Sequence, residues 1–375
     1  MKRLTLFIIS RLIKFLRYYL FKGARVFQPA NWRTGKSALR YFGTTSIVSI
    51  FAAISSHAAD NPAVGSTEIA KWKDNSKACF LIMFDDSWPS HYQVAVPELV
   101  KRKMTATFYI NPGKGEYKAK KSEWEGEKAV WKSGMAYGNH TMTHDGMQNL
   151  KDAEWEISEC NKVIMDTIPG KNPRLISWGR PGVKDWNITP EETKSLLEKN
   201  NLIDRPTFDN HGVVYHLKTA DQMFAIADKA IKEGEMGYII AHGVERGPDM
   251  NWGYQDFWAW KQDQFKAVLD GLAERRDRGD IWITDHISYH KYETERKNGK
   301  VETLSADNSK IRLKLTSQVK LDLYDSPLTL RTAVPKNWTK CKIQQKDRTS
   351  TVDVKDGIAQ FDAMPGSDEI VLTAG

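Results

Sequence analysis

The sequence predicts an α/β fold: a closed parallel barrel of six or seven strand–helix units, followed by a small all-β, β-sandwich-like domain. Three observations carry this. From Ala78 onward, short apolar runs alternate with helical patterns. The charged and imidazole residues that stand out fall just past the strands, where parallel barrels collect their functional side chains. After Lys297-Asn298-Gly299 the helical stripes cease, and turn signals separate alternating β-like runs.

The leader comes first. Residues 1–58 hold ten Lys or Arg and no Asp or Glu, so the net charge of +8 leaves −2 for the remainder. The body is therefore not basic, and neither nucleic acid nor an acidic surface is indicated as a partner. Tyr41 to Ala58 is an apolar stretch of signal-peptide length, preceded by Lys36 and Arg40 and ending in Ser56-His57-Ala58. It predicts export, to the periplasm or beyond. Leu4 to Phe21 is a second apolar, basic segment with helical spacing, which reads as a membrane-contacting helix, an uncleaved anchor or a misassigned start. Residues 59–76 are polar and read as a linker, 77–300 as the α/β domain and 305–375 as the β domain.

Within the α/β domain, a strand at 78–84 leads to a helix from Tyr92 to Lys103 and a strand from Ala106 to Asn111. A Gly- and Lys-rich loop at 113–121 precedes a helix near Glu123 to Lys132 and a short strand from Met135 to Asn139. Ala153 to Ile168 is the clearest helix, with Ile157, Cys160, Ile164 and Ile168 on one face. Leu175 to Trp178 is the next strand, and Thr189-Pro190-Glu191-Glu192 opens a helix with a reciprocal cap and a first-turn proline. Further strands are expected at Gly212 to Leu217, Gly237 to Ala241 and Ile281 to Thr284, with helices at Ala220 to Lys232 and Trp258 to Arg276. Cys79, Cys160 and Cys341 lack metal-ligand spacing, and the first two read as small buried residues. From Lys310 the run IRLKLTSQVKLDLY alternates as a half-buried strand does. The β domain reads as a cover for the barrel rather than a glycan binder, because its only Trp is Trp338.

The chemistry gathers at two places. Cys79 to Asp86, CFLIMFDD, is a buried parallel strand delivering two carboxylates to its edge. Gly138 to His144 carries two imidazoles four residues apart. Two imidazoles and one carboxylate suit a divalent ion of the zinc type, with positions left open for water and substrate. The bland alternatives are an Asp pair capping a helix and an ordinary His-bearing helix face. His242, after the apolar Ile239-Ile240-Ala241, reads either as a functional group or as a core histidine.

FDD followed by HTMTH resembles the first two motifs of the NodB-homology polysaccharide deacetylases, carbohydrate esterase family 4, over roughly Ala78 to Arg296. The resemblance implies a distorted (β/α)7 barrel. It implies that Asp86, His140 and His144 hold a metal, most readily Zn with Co, Ni or Mn as alternatives, that Asp85 is the general base and that His242 is the acid. Two departures stand out. The third motif, Arg180-Pro181-Gly182, lacks its usual aromatic, leaving Arg180 as the candidate to orient the base. No Asp-Trp fourth motif is evident, so Asp204 or Arg205 is the candidate support for His242. Trp252 and Tyr254 are candidates for a sugar-stacking wall. The implied activity is metal-dependent removal of acetyl groups, chiefly N-acetyl, from an exported glycan. The alternatives are hydrolysis of small amides or O-acetyl esters at the same site, or non-catalytic glycan binding around a structural metal.

Overall fold

The structure, a computed structural model, describes residues 62–114, 125–206, 219–246 and 259–375. The leader, the strand expected at 212–217, and Trp252 and Tyr254 lie outside the described residues.

The stretch read as a linker is not one from Gly65 onward. Strand β1 (Thr67–Ile69) pairs antiparallel with a strand of the C-terminal sheet, in register Thr67↔Thr332 to Ile69↔Leu330. Trp72 follows, 1 % exposed, with its indole N–H donating to the Gly234 carbonyl at 3.0 Å. An indole that can bury its ring and satisfy its N–H anchors a segment whose remaining composition is polar.

The α/β unit then runs β2 (Ala78–Asp85), a widened turn His91–Ala95 leading into α1 (Val96–Lys101), β3 (Thr107–Ile110), β4 (Ala136–Asn139), α2 (Leu150–Thr167) and β5 (Ile176–Trp178). It continues through α3 (Pro190–Lys199), β6 (Leu202–Asp204), α4 (Ala220–Glu233), β7 (Met236–Ala241), α5 (Gln262–Asp277), β8 (Ile281–Thr284) and α6 (His286–Lys297). The expected capping box is present, with Thr189 accepting from the Glu192 amide and Glu192 accepting from the Thr189 amide.

All seven strands of this sheet are parallel, in the order β6-β5-β4-β3-β2-β7 with β8 also on β2. Strand β2 pairs with β7 over Cys79–Phe84, with β8 over Ala78–Leu81 and with β3 over Met83–Asp85. Since β7 occupies one edge, β8 and β3 share the other, one after the other. This shared edge distorts the barrel. Among the described residues no ladder joins β6 to β7 or β8, and the seven parallel strands form a half-barrel; the strand expected at 212–217, between β6 and β7 in the chain, lies outside them.

Every residue of β2 is buried, as a strand covered on both faces must be. Ala78, Phe80, Ile82 and Phe84 join the core shared with the helices. Cys79, Leu81 and Met83 face the other way, with Tyr109, Tyr238, Ile240 and Trp72. Alternation puts Asp85 next in that second, interior series.

The C-terminal unit comprises β9 (Gly299–Ala306), β10 (Lys310–Ser317), β11 (Leu328–Ala333), β12 (Lys340–Gln345), β13 (Arg348–Lys355), β14 (Ile358–Ala363) and β15 (Glu369–Ala374). With β1 these form one antiparallel sheet, ordered β1-β11-β14-β13-β12-β15-β10-β9. Only two residue pairs join β13 to β14, and there the sheet curls so that its two halves enclose one core around Leu313, Leu330, Phe361 and Leu372. The result is sandwich-like, although hydrogen-bonded as a single sheet. Tyr292 of α6 enters this core, and Trp338 is 4 % exposed within it.

Candidate metal centre

Three strand ends meet at one place. Asp86 leaves β2 at φ 74°, followed by Ser87 at 54°. Past β4, Thr141 and His144 adopt φ values of 69° and 66°. Such backbone is unusual for residues bearing a Cβ, and each instance costs about 1–3 kcal/mol unless its surroundings hold it. The surroundings are specific. Asn111 accepts nothing from the loop but donates its side-chain amide to the carbonyls of His140 and Thr141. Glu156 of α2, buried, accepts from both the amide (2.8 Å) and the hydroxyl of Thr143. The His144 amide donates to the Thr141 hydroxyl at 3.2 Å.

This scaffold brings the predicted ligands together. Asp86 Oδ1 lies 3.3 Å from His140 Nε2 and 3.1 Å from His144 Nε2. One ligand atom from each of the three residues falls within 4.8 Å of the others. The other nitrogen of His140, Nδ1, is 2.5 Å from the Gly179 carbonyl. A carbonyl only accepts, so that nitrogen bears hydrogen and, in the neutral ring, Nε2 presents its lone pair. A lone pair aimed at a buried carboxylate oxygen calls for a cation between them, and a backbone partner on the far nitrogen is how metal-binding imidazoles are usually held. The residues fit a divalent ion. Burial pushes the Asp86 carboxyl up, but the two imidazoles outweigh it and hold it well below the ordinary carboxylate range. For His144, burial lowers the pKa and Asp86 more than reverses it.

Asp85 is 1 % exposed, and the buried Arg205 guanidinium grips both its oxygens, at 2.9 Å for Nη2 to Oδ2. Burial raises the Asp85 pKa, yet Arg205, His140 and His242 bring it below the usual value. His242 Nε2 stands 3.6 Å from Asp86 Oδ2. Burial lowers the His242 pKa more than Asp85 and Asp86 raise it.

Two sequence expectations are corrected. Arg180 does not orient the base: it is exposed, stacked 4.5 Å over the Trp186 ring on the far side of the sheet. Alternation explains it, because Gly179 takes the inward position. A Cβ there would lie 2.8 Å from the Tyr109 ring and 2.9 Å from Arg205 Cζ, so the missing side chain is the space Arg205 fills. Arg205, expected beside His242, instead holds Asp85, with its Cζ 4.5 Å over the Tyr109 ring. Asp204 points outward with Arg180, lining a cavity of about 400 Å³ with Trp178 and Trp186, and does not support His242.

Sequence reasoning missed Asn111, Glu156 and the chain beneath Arg205. In that chain the Tyr109 hydroxyl is 2.8 Å from Ser177 Oγ, itself 2.6 Å from His286 Nδ1. The register Tyr109↔Gly138↔Ser177 across β3, β4 and β5 brings it together, and the sequence of each strand alone does not show that register.

The family model described as polysaccharide deacetylase matches residues 73–192. No curated protein matches the chain. Among solved structures, a family 4 carbohydrate esterase from Streptomyces lividans, in complex with acetate, is similar at 19 % identity and a TM-score of 0.36, over 54 % of this chain and 90 % of that one. A peptidoglycan deacetylase from Bacillus subtilis is similar at 15 % identity and a TM-score of 0.38, over 59 % of this chain and 93 % of that one. A family 4 pseudoenzyme from Bacillus anthracis is similar at 13 % identity and a TM-score of 0.38, over 55 % of this chain and 63 % of that one, so the chain spans less than two thirds of its length. Over residues 73–192, the chain is similar to the polysaccharide deacetylase family.

Proposed function

We propose that the chain is a metal-dependent hydrolase that removes acetyl groups, chiefly N-acetyl, from a glycan outside the cytoplasm. The observation that carries this reading is the convergence of Asp86, His140 and His144 on one point, with Asp85 and His242 beside it. Asp86, His140 and His144 would hold a divalent ion, Zn most readily, which would supply Lewis-acid polarisation of the acetyl carbonyl and a more acidic water. The chain's own residues supply the proton transfers. Asp85, held ionised by Arg205, accepts a proton from the attacking water. His242 faces the same point and donates to the departing amine. The site for export is residues 41–58, whose pattern predicts a signal peptide. Among the described residues no helix is long and apolar enough to cross a membrane.

The test is acetate release from N-acetylglucosamine oligomers, peptidoglycan and acetylxylan by the purified protein. Release should stop on chelation, return with Zn²⁺ and fall at least about 10³-fold in Asp85→Asn, which removes the proton acceptor. No release from any of these substrates by the Zn²⁺-loaded protein overturns the reading.

A further inference from the structure

We propose that Ser90 and His91, in the widened turn after β2, are positioning residues for His242. This rests on reading His242 as the acid. The turn holds the backbone from that residue onward. His91 Nε2 lies 2.6 Å from the His242 backbone carbonyl, and Ser90 Oγ accepts the Val244 amide at 3.0 Å. Because a carbonyl cannot donate, Nε2 carries the hydrogen, so two hydrogen bonds fix the backbone from His242 to Val244.

The clamp is itself preorganised. His91 is fully buried, with its ring at 5.3 Å from the Phe84 ring and 5.2 Å from that of Phe108, edge-on to both. Its Nδ1 faces Glu127 Oε1 at 3.8 Å, and Glu127 is also fully buried. Neither carboxylate oxygen of Glu127 has a hydrogen-bond partner among the described residues. A carboxyl so placed is costly without a polar neighbour, and His91 is the one it faces. An apolar side chain would fill this core without that cost. The polar pair is accounted for by what Nε2 holds.

The position of the turn explains why such a clamp acts on the reaction. One strand–turn segment carries Asp85 and Asp86 at its start and the two clamp residues at its end, so the acceptor of one proton and the donor of the other are fixed by the same piece of chain. A displacement of His242 by about 1 Å is enough to slow a positioned proton transfer by orders of magnitude.

The experiment compares His91→Leu, His91→Gln and Ser90→Ala in the Zn²⁺-loaded full chain, with N-acetylglucosamine oligomers as substrate. His91→Leu should lower kcat at least tenfold, with KM and Zn²⁺ affinity changed less than twofold. His91→Gln, which keeps an N–H donor, should recover kcat to within about threefold of the parent. Amide exchange at Val244 should quicken in His91→Leu and Ser90→Ala and be restored in His91→Gln. If His91→Leu does not fold, Ser90→Ala carries the same comparison of kcat against KM and Zn²⁺ affinity. A kcat within twofold of the parent, or a loss of Zn²⁺ affinity that parallels the loss of kcat, overturns the proposal. If the parent itself releases no acetate, the reading of His242 as the acid fails separately. The clamp is then judged by exchange alone, and unchanged Val244 protection in both disruptive variants overturns it.

Discussion

Asp85 owes its role to its neighbour across the sheet. A buried carboxylate is tolerated when a guanidinium meets both its oxygens, and Arg205 does so from the end of β6. Removing one partner of a buried pair leaves the other charge uncompensated, at a cost of about 3–5 kcal/mol. Arg205→Gln is therefore expected to lower kcat at least about 10²-fold and to reduce thermal stability, whereas Arg180→Ala, on the opposite face of the sheet, changes kcat by less than about threefold. Steady-state kinetics of the two variants checks this, and the reverse ranking contradicts it. The ligands were legible in sequence because Asp86, His140 and His144 come from two short motifs whose internal spacing is set by local backbone. The arginine was not, because choosing between Arg180 and Arg205 depends on which residue of each strand faces inward. A glycine at 179 decides that only when Tyr109 is seen opposite it.

At the scale of elements, the centre depends on a loop whose backbone is held from outside. The segment from His140 to His144 contains two left-handed residues, and α2 secures it through Glu156. Partners beyond the ligands themselves typically contribute 10- to 100-fold in metal affinity. Glu156→Ala is thus expected to weaken Zn²⁺ binding by about that factor while α2 remains helical, measured by competition against a chromogenic chelator together with circular dichroism; unaltered affinity contradicts it. Helix α2 was readable because its apolar stripe repeats over 18 residues and Asn149 caps it. Helix α6 was not, because HISYHKYETERK shows little apolar periodicity: Tyr292 and Ile287 pack against different clusters on different sides. Strand β6 was missed for brevity, with three residues whose last is exposed.

At the scale of the whole molecule, helix α6 is where the parallel half-barrel meets the curled sheet. Glu295 in that helix is fully buried, accepts the Ser326 amide at 2.7 Å and has a second oxygen with no hydrogen-bond partner among the described residues. Burial pushes its carboxyl up to about 7, from an ordinary 4.5. The folded protein thus binds a proton more tightly than the unfolded chain, so this group's contribution to stability falls as pH rises from 4.5 through about 7. Glu295→Gln keeps the acceptor for Ser326 and is expected to remove a loss on the order of 2 kcal/mol across that window, seen as a flatter dependence of Tm on pH; an unchanged slope contradicts it. The stretch before β2 shows what composition hides: Ile69 joins a polar segment to a sheet that begins more than 200 residues later, and Trp72 ties the same segment to the parallel unit. The central claim, a single divalent ion shared by side chains from two strand ends, is tested most directly by titrating metal-stripped protein with Zn²⁺ in a calorimeter. The account predicts one ion per chain, lost in Asp86→Ala and His140→Ala and retained in Asp85→Asn. Failure to bind, or binding that survives the loss of Asp86 and His140, contradicts it.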